Sequence, residues 1–289
     1  QKFTLSTGVF IGAVGNTTAS TGTCAASGAV SAWCTGGTFA TGTSDGMIST
    51  GLSLATSSTL DVMLVVDKSG RIMKYTLSTG AFVGSIGKTT ASTGTCASSG
   101  ATNAWCTGGT FTTGTGDGVF SYANSVAMDV SGGYFYVVDY NNNNIQKISV
   151  SSGIFVGAMG KTTASSGTCP SSGVTASWCT GGTFTSGTTD GALKGPSDIA
   201  LDTLNGYIYV VNSTANSLSR FNLSTAVFSA STGATSASSG TCASSGATGA
   251  WCTGGTFTSG TSDGTFSTPT NITLDTSNGM VYVSDSATG

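Results

Sequence analysis

Short apolar runs separated by turn residues recur along the chain. They are clearest in NSVAMDVSGGYFYVVDYNNNNIQKISVSSGIFVGAMG, residues 124–160. The runs at 125–129, 134–138, 145–150 and 154–158 are mainly β-branched, aromatic or otherwise apolar. Gly, Ser, Asp and Asn fill most of the gaps between them. This pattern predicts four short β-strands joined by tight turns, and hence one antiparallel sheet.

The same order of runs recurs elsewhere. Runs at 197–201, 207–211, 218–223 and 226–230 follow it closely, whereas the first copy has no clear first run before Leu64. The chain starts with QKFTLSTGVFIGAVG, which matches the third and fourth runs, and stops at MVYVSDSATG, which matches the second. We therefore expect a single repetitive domain over residues 1–289. Its last sheet would be completed by the first strands of the same chain or of a neighbouring subunit.

A second pattern lies between these groups of strands, and its clearest copy is GTCASSGATNAWCTGGTFTTGTGDG, residues 94–118. Its fixed points are two cysteines ten positions apart, a tryptophan before the second cysteine, a Gly-Gly-Thr-Phe and an Asp-Gly. The first cysteine recurs after 72, 73 and 73 residues, at Cys24, Cys96, Cys169 and Cys242. A constant period of this length predicts a repeat architecture with four similar units.

Eight cysteines in four identically spaced pairs indicate an oxidising compartment. Zinc is a poor alternative, because the chain has no histidine and nine residues separate the members of each pair. The cysteines can pair within each copy or between neighbouring copies. Pairing within a copy is favoured because a short loop closes most easily, and each link would stabilise the fold by roughly 3 kcal/mol. It would join Cys24 to Cys34, Cys96 to Cys106, Cys169 to Cys179 and Cys242 to Cys252.

Composition limits the functions open to the chain. Charged residues make up 7% of it, the formal net charge is -3, and histidine and glutamate are absent. Without a basic surface, nucleic acid is not expected as a partner. Without histidine there is no imidazole base, no Ser-His-Asp triad and no histidine-ligated metal, so we expect neither enzymatic activity nor a cofactor.

The same composition favours an extracellular protein, either secreted or at the cell surface. No apolar run is long enough to span a bilayer. With so few charges, solubility must come from hydroxyl and amide groups or from attached sugars. Four sequons are candidate sites of N-linked glycan: Asn16, Asn212, Asn222 and Asn271.

Two sets of repeated side chains are candidates for binding. The tryptophan before each second cysteine either packs on the disulfide or belongs to a sugar-stacking surface. These tryptophans are Trp33, Trp105, Trp178 and Trp251. The aspartate of each Asp-Gly either accepts backbone N–H groups of its turn or contributes to a calcium site, for which one carboxylate per unit is few. These aspartates are Asp45, Asp117, Asp190 and Asp263.

The order of these residues resembles the NHL repeat. A short apolar strand ends in Asp, a run ending in VVD or VSD follows, and an Asn-rich turn leads to IQK and a strand ending in Gly. The element GTSDGTFSTPTNITLD at residues 260–275 is similar to the linker into the next NHL repeat. The resemblance implies an all-β fold, a β-propeller, and the four copies of about 73 residues would make it four-bladed. The cysteine stretches would then be insertions on one face of the propeller.

Two functions remain after these exclusions. The first is a non-enzymatic structural protein whose self-association builds an extracellular filament, sheath or surface layer, through propeller faces or strand exchange. The second is an adhesion module whose tryptophan-bearing loops bind glycans or another surface protein.

Overall fold

The computed structural model describes residues 1–287, and the regular secondary structure in them consists of β-strands. The chain forms two compact units. The first contains residues 1–114, 118–120 and 151–154, and the second contains residues 115–117, 121–150 and those from 155 onward. Each unit is described below by itself. The single domain expected over residues 1–289 stays a prediction.

The first unit begins with a hairpin and a small sheet that carries a disulfide. Its strands are β1 (Lys2–Phe3), β2 (Phe10–Gly12), β3 (Asn16–Ser20), β4 (Gly28–Ala29) and β5 (Gly37–Ala40). Strands β1 and β2 pair with each other in a two-stranded antiparallel sheet. Strand β3 lies between β4 and β5. Because β2 and β3 follow each other along the chain, the hairpin leads directly into the disulfide-bearing sheet.

The rest of the first unit is a six-stranded antiparallel sheet. Its strands are β6 (Gly51–Ser57), β7 (Val62–Asp67), β8 (Arg71–Thr76), β9 (Phe82–Ser92), β10 (Gly100–Ala101) and β11 (Gly109–Thr112). The order is β10-β9-β8-β7-β6, and β11 also pairs with β9. Strand β7, VMLVVD, is buried at every position because it is an inner strand of the sheet with both faces covered. The first strand of this copy, the least regular in sequence, is therefore present.

The second unit contains two sheets of the same topology. The first consists of β12 (Ala123–Asp129), β13 (Tyr134–Asp139), β14 (Asn144–Ser149), β15 (Phe155–Ser165), β16 (Gly173–Val174) and β17 (Gly182–Thr185). The second consists of β18 (Pro196–Asp202), β19 (Tyr207–Asn212), β20 (Ser217–Asn222), β21 (Phe228–Ser238), β22 (Gly246–Ala247) and β23 (Gly255–Thr258). Strands β24 (Pro269–Asp275) and β25 (Met280–Asp285) form a two-stranded sheet.

The fourth strand of each complete sheet is longer than the apolar run predicts. Strand β15 continues past residue 158 because Lys161 and Thr162 pair with β16 and β17 after Gly160 has paired with Asn144. Gly160 has a φ of 150°, and a Cβ there would lie 2.8 Å from the Asn143 carbonyl oxygen. The cysteine stretch, interpreted from the sequence as an insertion between sheets, therefore pairs with an extension of the fourth strand of its own sheet.

Neighbouring sheets of the second unit place their first strands side by side. The Asn124 Nδ2 on β12 donates to the Ser197 carbonyl on β18 at 2.7 Å. The Ser197 hydroxyl in turn donates to the Thr270 carbonyl on β24 at 2.9 Å. Apolar side chains fill the space between the sheets, and this core includes Tyr136, Met159, Ile208, Phe221 and Leu223. Each repeat of this unit therefore packs on the next.

Candidate functional site

Four disulfides close the cysteine stretches, each within one copy. They join Cys24 to Cys34, Cys96 to Cys106, Cys169 to Cys179 and Cys242 to Cys252. This is the scheme that short loops favour. Cys34 also exchanges two backbone hydrogen bonds with Ala13, and the equivalent bridge recurs in every copy. Each disulfide loop is thereby held against the long fourth strand. Four disulfides indicate an oxidising, extracellular environment.

A threonine hydroxyl forms hydrogen bonds with backbone carbonyls of each disulfide loop. In the first copy the Thr17 hydroxyl lies 2.8 Å from the Ala25 carbonyl oxygen and 3.1 Å from that of Gly28. Thr89, Thr162 and Thr235 make the same two contacts in the other copies. The loops have few apolar side chains, so disulfides and hydrogen bonds replace a core in fixing their shape.

The Asp-Gly aspartates link successive copies. The Asp45 carboxylate accepts the Gly108 N–H at 2.7 Å, and Gly108 belongs to the next cysteine stretch. Asp117 accepts from Gly181 at 2.8 Å and Asp190 from Gly254 at 2.8 Å. These carboxylates do accept backbone N–H groups, and the donors belong to the following copy. Among residues 1–287, no group of acidic or cysteine side chains is arranged to hold a metal ion.

Burial and hydrogen bonding act in opposite directions on one of these carboxyls. Desolvation raises the pKa of Asp117, and the hydrogen bond from the Gly181 N–H partly opposes this rise. The last member of the set, Asp263, is exposed and has no such partner within residues 1–287. The Gly36 N–H, the first member of the glycine set, likewise has no carboxylate partner there. Within residues 1–287, the Asp–Gly hydrogen bond therefore joins successive copies, whereas Asp263 and the Gly36 N–H do not take part in one.

The tryptophans link successive copies as well. The Trp33 indole N–H donates to the Leu77 carbonyl at 2.9 Å, and its backbone N–H donates to the Thr79 carbonyl at 2.8 Å. The Trp178 indole N–H donates to the Leu223 carbonyl at 3.2 Å. These acceptors lie in the turn between the third and fourth strands of the following sheet. Trp33 and Trp178 therefore pack on the next repeat, and not mainly on their own disulfide, with their rings half-buried.

Trp251 lines an open cavity of about 380 Å³, here called the Trp251 groove, and Trp33 lines another of about 300 Å³. The groove is lined by aromatic, apolar and charged side chains, chiefly Tyr207, Tyr209, Trp251, Leu274, Met280, Arg220, Asp202 and Asp275. The Trp251 ring lies 5.7 Å from the Tyr209 ring, and the Arg220 guanidinium lies 4.9 Å from the Trp251 ring centroid. Met280 and Tyr282 on β25 are more than half exposed. The end of the second unit thus presents a groove with aromatic, apolar and charged walls beside an edge strand.

The hairpin of β1 and β2 presents an apolar surface of its own, here called the hairpin surface. It consists of Phe3, Leu5, Val9, Phe10 and Ile11, which are all exposed. Leu5 is 105% exposed, whereas Val150 and Leu223 at the same place in the second unit are 4% and 8% exposed. Exposed apolar clusters of this kind often mark interaction sites.

The four candidate glycosylation sites differ in accessibility. Asn212 is 1% exposed and its amide donates to the Ser219 hydroxyl at 3.0 Å, so it has no room for a glycan in the fold. Asn16 and Asn222 are half-buried, and Asn271 on β24 is exposed. Among the four, Asn271 is therefore the most accessible.

The strand-end aspartates cap the loop that precedes their sheet. Asp67 accepts the Ser49 N–H at 2.9 Å and forms a buried ion pair with Arg71 at 3.3 Å. The Arg71 guanidinium also donates to the carbonyls of Thr43 and Met47, both at 2.6 Å. Asp139 accepts four hydrogen bonds, yet its burial raises the pKa of that carboxyl. These groups hold the chain that connects one copy to the next, and their partners indicate structural capping.

Comparisons with known proteins do not assign a family. No family model matches the chain, and no curated protein matches it. The computationally designed Ika4 protein is similar over 82% of this chain and 91% of that chain, with 9% identity and a TM-score of 0.39. An auxiliary nutrient binding protein from Bacteroides ovatus ATCC 8483 matches 83% of this chain, with 11% identity and a TM-score of 0.46.

A second auxiliary nutrient binding protein, from Bacteroides thetaiotaomicron VPI-5482, matches 81% of this chain with 10% identity and a TM-score of 0.45. The chain spans less than half of the length of these two nutrient binding proteins, 46% and 44%. Within residues 1–287 no helix is long and apolar enough to cross a membrane.

Proposed function

We propose that this chain is a non-enzymatic, secreted structural protein whose copies associate head to tail into an extracellular filament, sheath or surface layer. One observation carries the proposal. Each repeat is joined to the next by an Asp–Gly hydrogen bond, and the members left over are Asp263 at one end of the series and Gly36 at the other. A contact in which one repeat presents its aspartate and the next presents its glycine is heterologous, and such a contact can continue between copies.

The architecture that we propose is a four-bladed β-propeller of NHL-like repeats, with one blade divided between the two ends of the chain. Antiparallel four-strand groups with adjacent first strands support it. Strands β24 and β25 correspond to the first two strands of a blade, and β1 and β2 to the last two. The disulfides, the low charge and the abundant hydroxyl groups fit a protein that persists outside the cell.

The experiment is to measure the mass distribution of the purified chain across a wide concentration range, with negative-stain imaging of the same samples. We expect the average mass to rise with concentration and linear particles to appear. Monomers at every concentration would refute the proposal. A chain with Asp263→Ala provides a variant that lacks the acceptor at this position, and its average mass should rise less with concentration.

The second candidate is an adhesion module that binds glycans. The Trp251 groove favours it, because two tyrosines and a tryptophan offer stacking faces beside the Arg220 guanidinium and the Asp202 carboxylate. A glycan array probed with the chain under monomeric conditions tests it. Binding that is lost in Trp251→Ala and retained in Trp33→Ala would support the adhesion module over the filament.

A further inference from the structure

We propose that the hairpin surface of one copy docks into the Trp251 groove of a second copy of this chain. The inference rests on the proposed function and names the partner and the residues through which the copies join. Strands β24 and β25 of the first copy are the first and second strands of a repeat. The hairpin of the second copy, β1 and β2, supplies the third and fourth strands of that repeat. Edge strands have unpaired N–H and C=O groups and readily accept an added strand.

The internal repeats show what the docked hairpin would look like. In the second unit, Trp178 packs against Tyr136 of its own sheet, at 5.4 Å between ring centroids, and against the turn at Leu223 of the next sheet. Phe221 and Phe228, which flank that turn, meet edge to face at 5.7 Å. This arrangement covers Leu223 almost completely, and it closes the space beside Trp178.

The hairpin has the same side chains in the same arrangement. Phe3 and Phe10 meet edge to face at 5.5 Å, and Leu5 stands at the place of Leu223. The Trp251 groove is the matching receptor, since Trp251 stands at the place of Trp178 and Tyr209 at the place of Tyr136. The groove is open where Leu223 lies in the internal contact. Donor and receptor are therefore both preformed, which limits the conformational entropy lost on docking.

Strand register supports the same fit. In the complete sheet, Tyr136 on β13 pairs with Lys147 on β14, and Phe135 pairs with Ile148. The segment Gln-Lys-Ile at 146–148 corresponds to Gln-Lys-Phe at 1–3. The same register would place Lys2 opposite Tyr282 on β25. Within residues 1–287, strand β25 pairs with β24 alone, so its other edge is free to accept β1.

A second contact joins the same two copies in the same direction. Inside the chain, the tryptophan of one copy and its Asp-Gly aspartate both contact the following copy. In the second copy, Gly36 belongs to the cysteine stretch that follows the hairpin. When this hairpin fills the Trp251 groove of the first copy, the Gly36 N–H of the second copy donates to the Asp263 carboxylate of the first. The hairpin–groove contact and the Asp263–Gly36 contact thus join the same two copies in the same head-to-tail direction.

The test uses two variants of this 289-residue chain that each lose one surface. Leu5→Asp places a charge on the hairpin surface, and Trp251→Ala removes the main wall of the groove. Leu60→Asp, at an exposed turn outside both surfaces, is the matched control. We expect Leu5→Asp and Trp251→Ala to weaken self-association at least about 100-fold, because a buried leucine contact is replaced by a buried charge or a cavity. The control should associate like the unaltered chain.

Mixing the two variants gives the decisive result. Each variant alone should be monomeric, and an equimolar mixture should form a one-to-one dimer that does not grow, since only one intact hairpin and one intact groove are present. Analytical ultracentrifugation measures both states. If the unaltered chain polymerises and Leu5→Asp polymerises equally well, the hairpin contact is wrong and the structural function stands. If the unaltered chain stays monomeric at every concentration, the structural function itself fails, and with it the partner named here.

Discussion

Replacing Asp190 by alanine tests the contact that joins one repeat to the next. Both carboxylate oxygens of Asp190 lie within hydrogen-bond distance of the Gly254 N–H, at 2.8 and 3.0 Å. Alanine removes the acceptor and leaves the N–H of a glycine that has a φ of 75° without its partner. Hydrogen bonds to a charged group contribute about 1.5 to 3 kcal/mol, and a half-buried carboxylate belongs at the lower end. We expect Asp190→Ala to lower the free energy of unfolding by about 1.5 kcal/mol.

The matched control is Asp263→Ala, which removes the same side chain from the same Asp-Gly element at a position that has no hydrogen-bond partner within residues 1–287. Denaturant unfolding of both variants, at a concentration where the chain is monomeric and with the disulfides intact, measures the difference. Asp263→Ala should change the free energy of unfolding by less than about 0.5 kcal/mol, as is usual for exposed positions. Asp190→Asn should fall between the two, since the amide oxygen still accepts but without charge.

The outcome that contradicts the reasoning is equal destabilisation by Asp190→Ala and Asp263→Ala. The carboxylate would then act through its own turn, as the local sequence pattern alone indicates, and the repeats would be held together by apolar packing. An effect confined to Asp190 would instead support the hydrogen bond as a specific link between repeats.

Three further predictions concern single groups. Replacing Cys169 and Cys179 together by serine should lower the free energy of unfolding by about 2.7 kcal/mol, the loop-closure entropy for a separation of ten residues, and calorimetry of the variant against the unaltered chain measures it. Glycopeptide mapping of the protein from a glycosylating host should find no glycan on Asn212, which is buried, and a glycan on Asn271 if any of the four sites is used; an occupied Asn212 in folded protein would contradict the structure. Burial raises the pKa of Asp139, so the folded chain keeps a proton that the unfolded chain loses as the pH rises above about 4. The stability that this group contributes should therefore fall with rising pH until the raised pKa is passed and then level off. Asp139→Asn should remove that slope, and the difference between the two unfolding curves across this pH range is the measurement; a slope of the opposite sign would count against a raised pKa.

The strands of this fold are largely predictable from the sequence because each apolar run is short and bounded by turn residues. The run at 134–138 corresponds to β13, Tyr134–Asp139, and the run at 197–201 to β18, Pro196–Asp202. The extension of β15 to Ser165 was not predictable in this way. Its last residues, Lys-Thr-Thr-Ala-Ser, are polar or small, and they become a strand only because the cysteine stretch folds back and pairs with them.

The partners of the repeated site residues were harder to predict, because they lie far away in the sequence. A carboxylate before glycine is typical of a local turn, and nothing near Asp117 indicates that it bonds to Gly181. One signal was present: the spacing from aspartate to its glycine is 63 or 64 residues in each case, slightly shorter than the repeat. Likewise, the indole of Trp33 reaches Leu77, 44 residues ahead, a distance at which local pattern carries no information.

Near-identical repeats have a physical consequence for assembly. The surface with which one repeat contacts the next must also be present on the last repeat, and its complement must be present on the first. Trp251 and Asp263 belong to the contact surface of the last repeat, and Leu5 and Gly36 belong to the complementary surface of the first repeat. Such a directional contact closes into a ring when the rotation between repeats brings the ends together, and continues into a filament when the partner is another chain. A ring within one chain would leave the unaltered chain monomeric at every concentration, whereas a filament contact requires that its average mass rise with concentration.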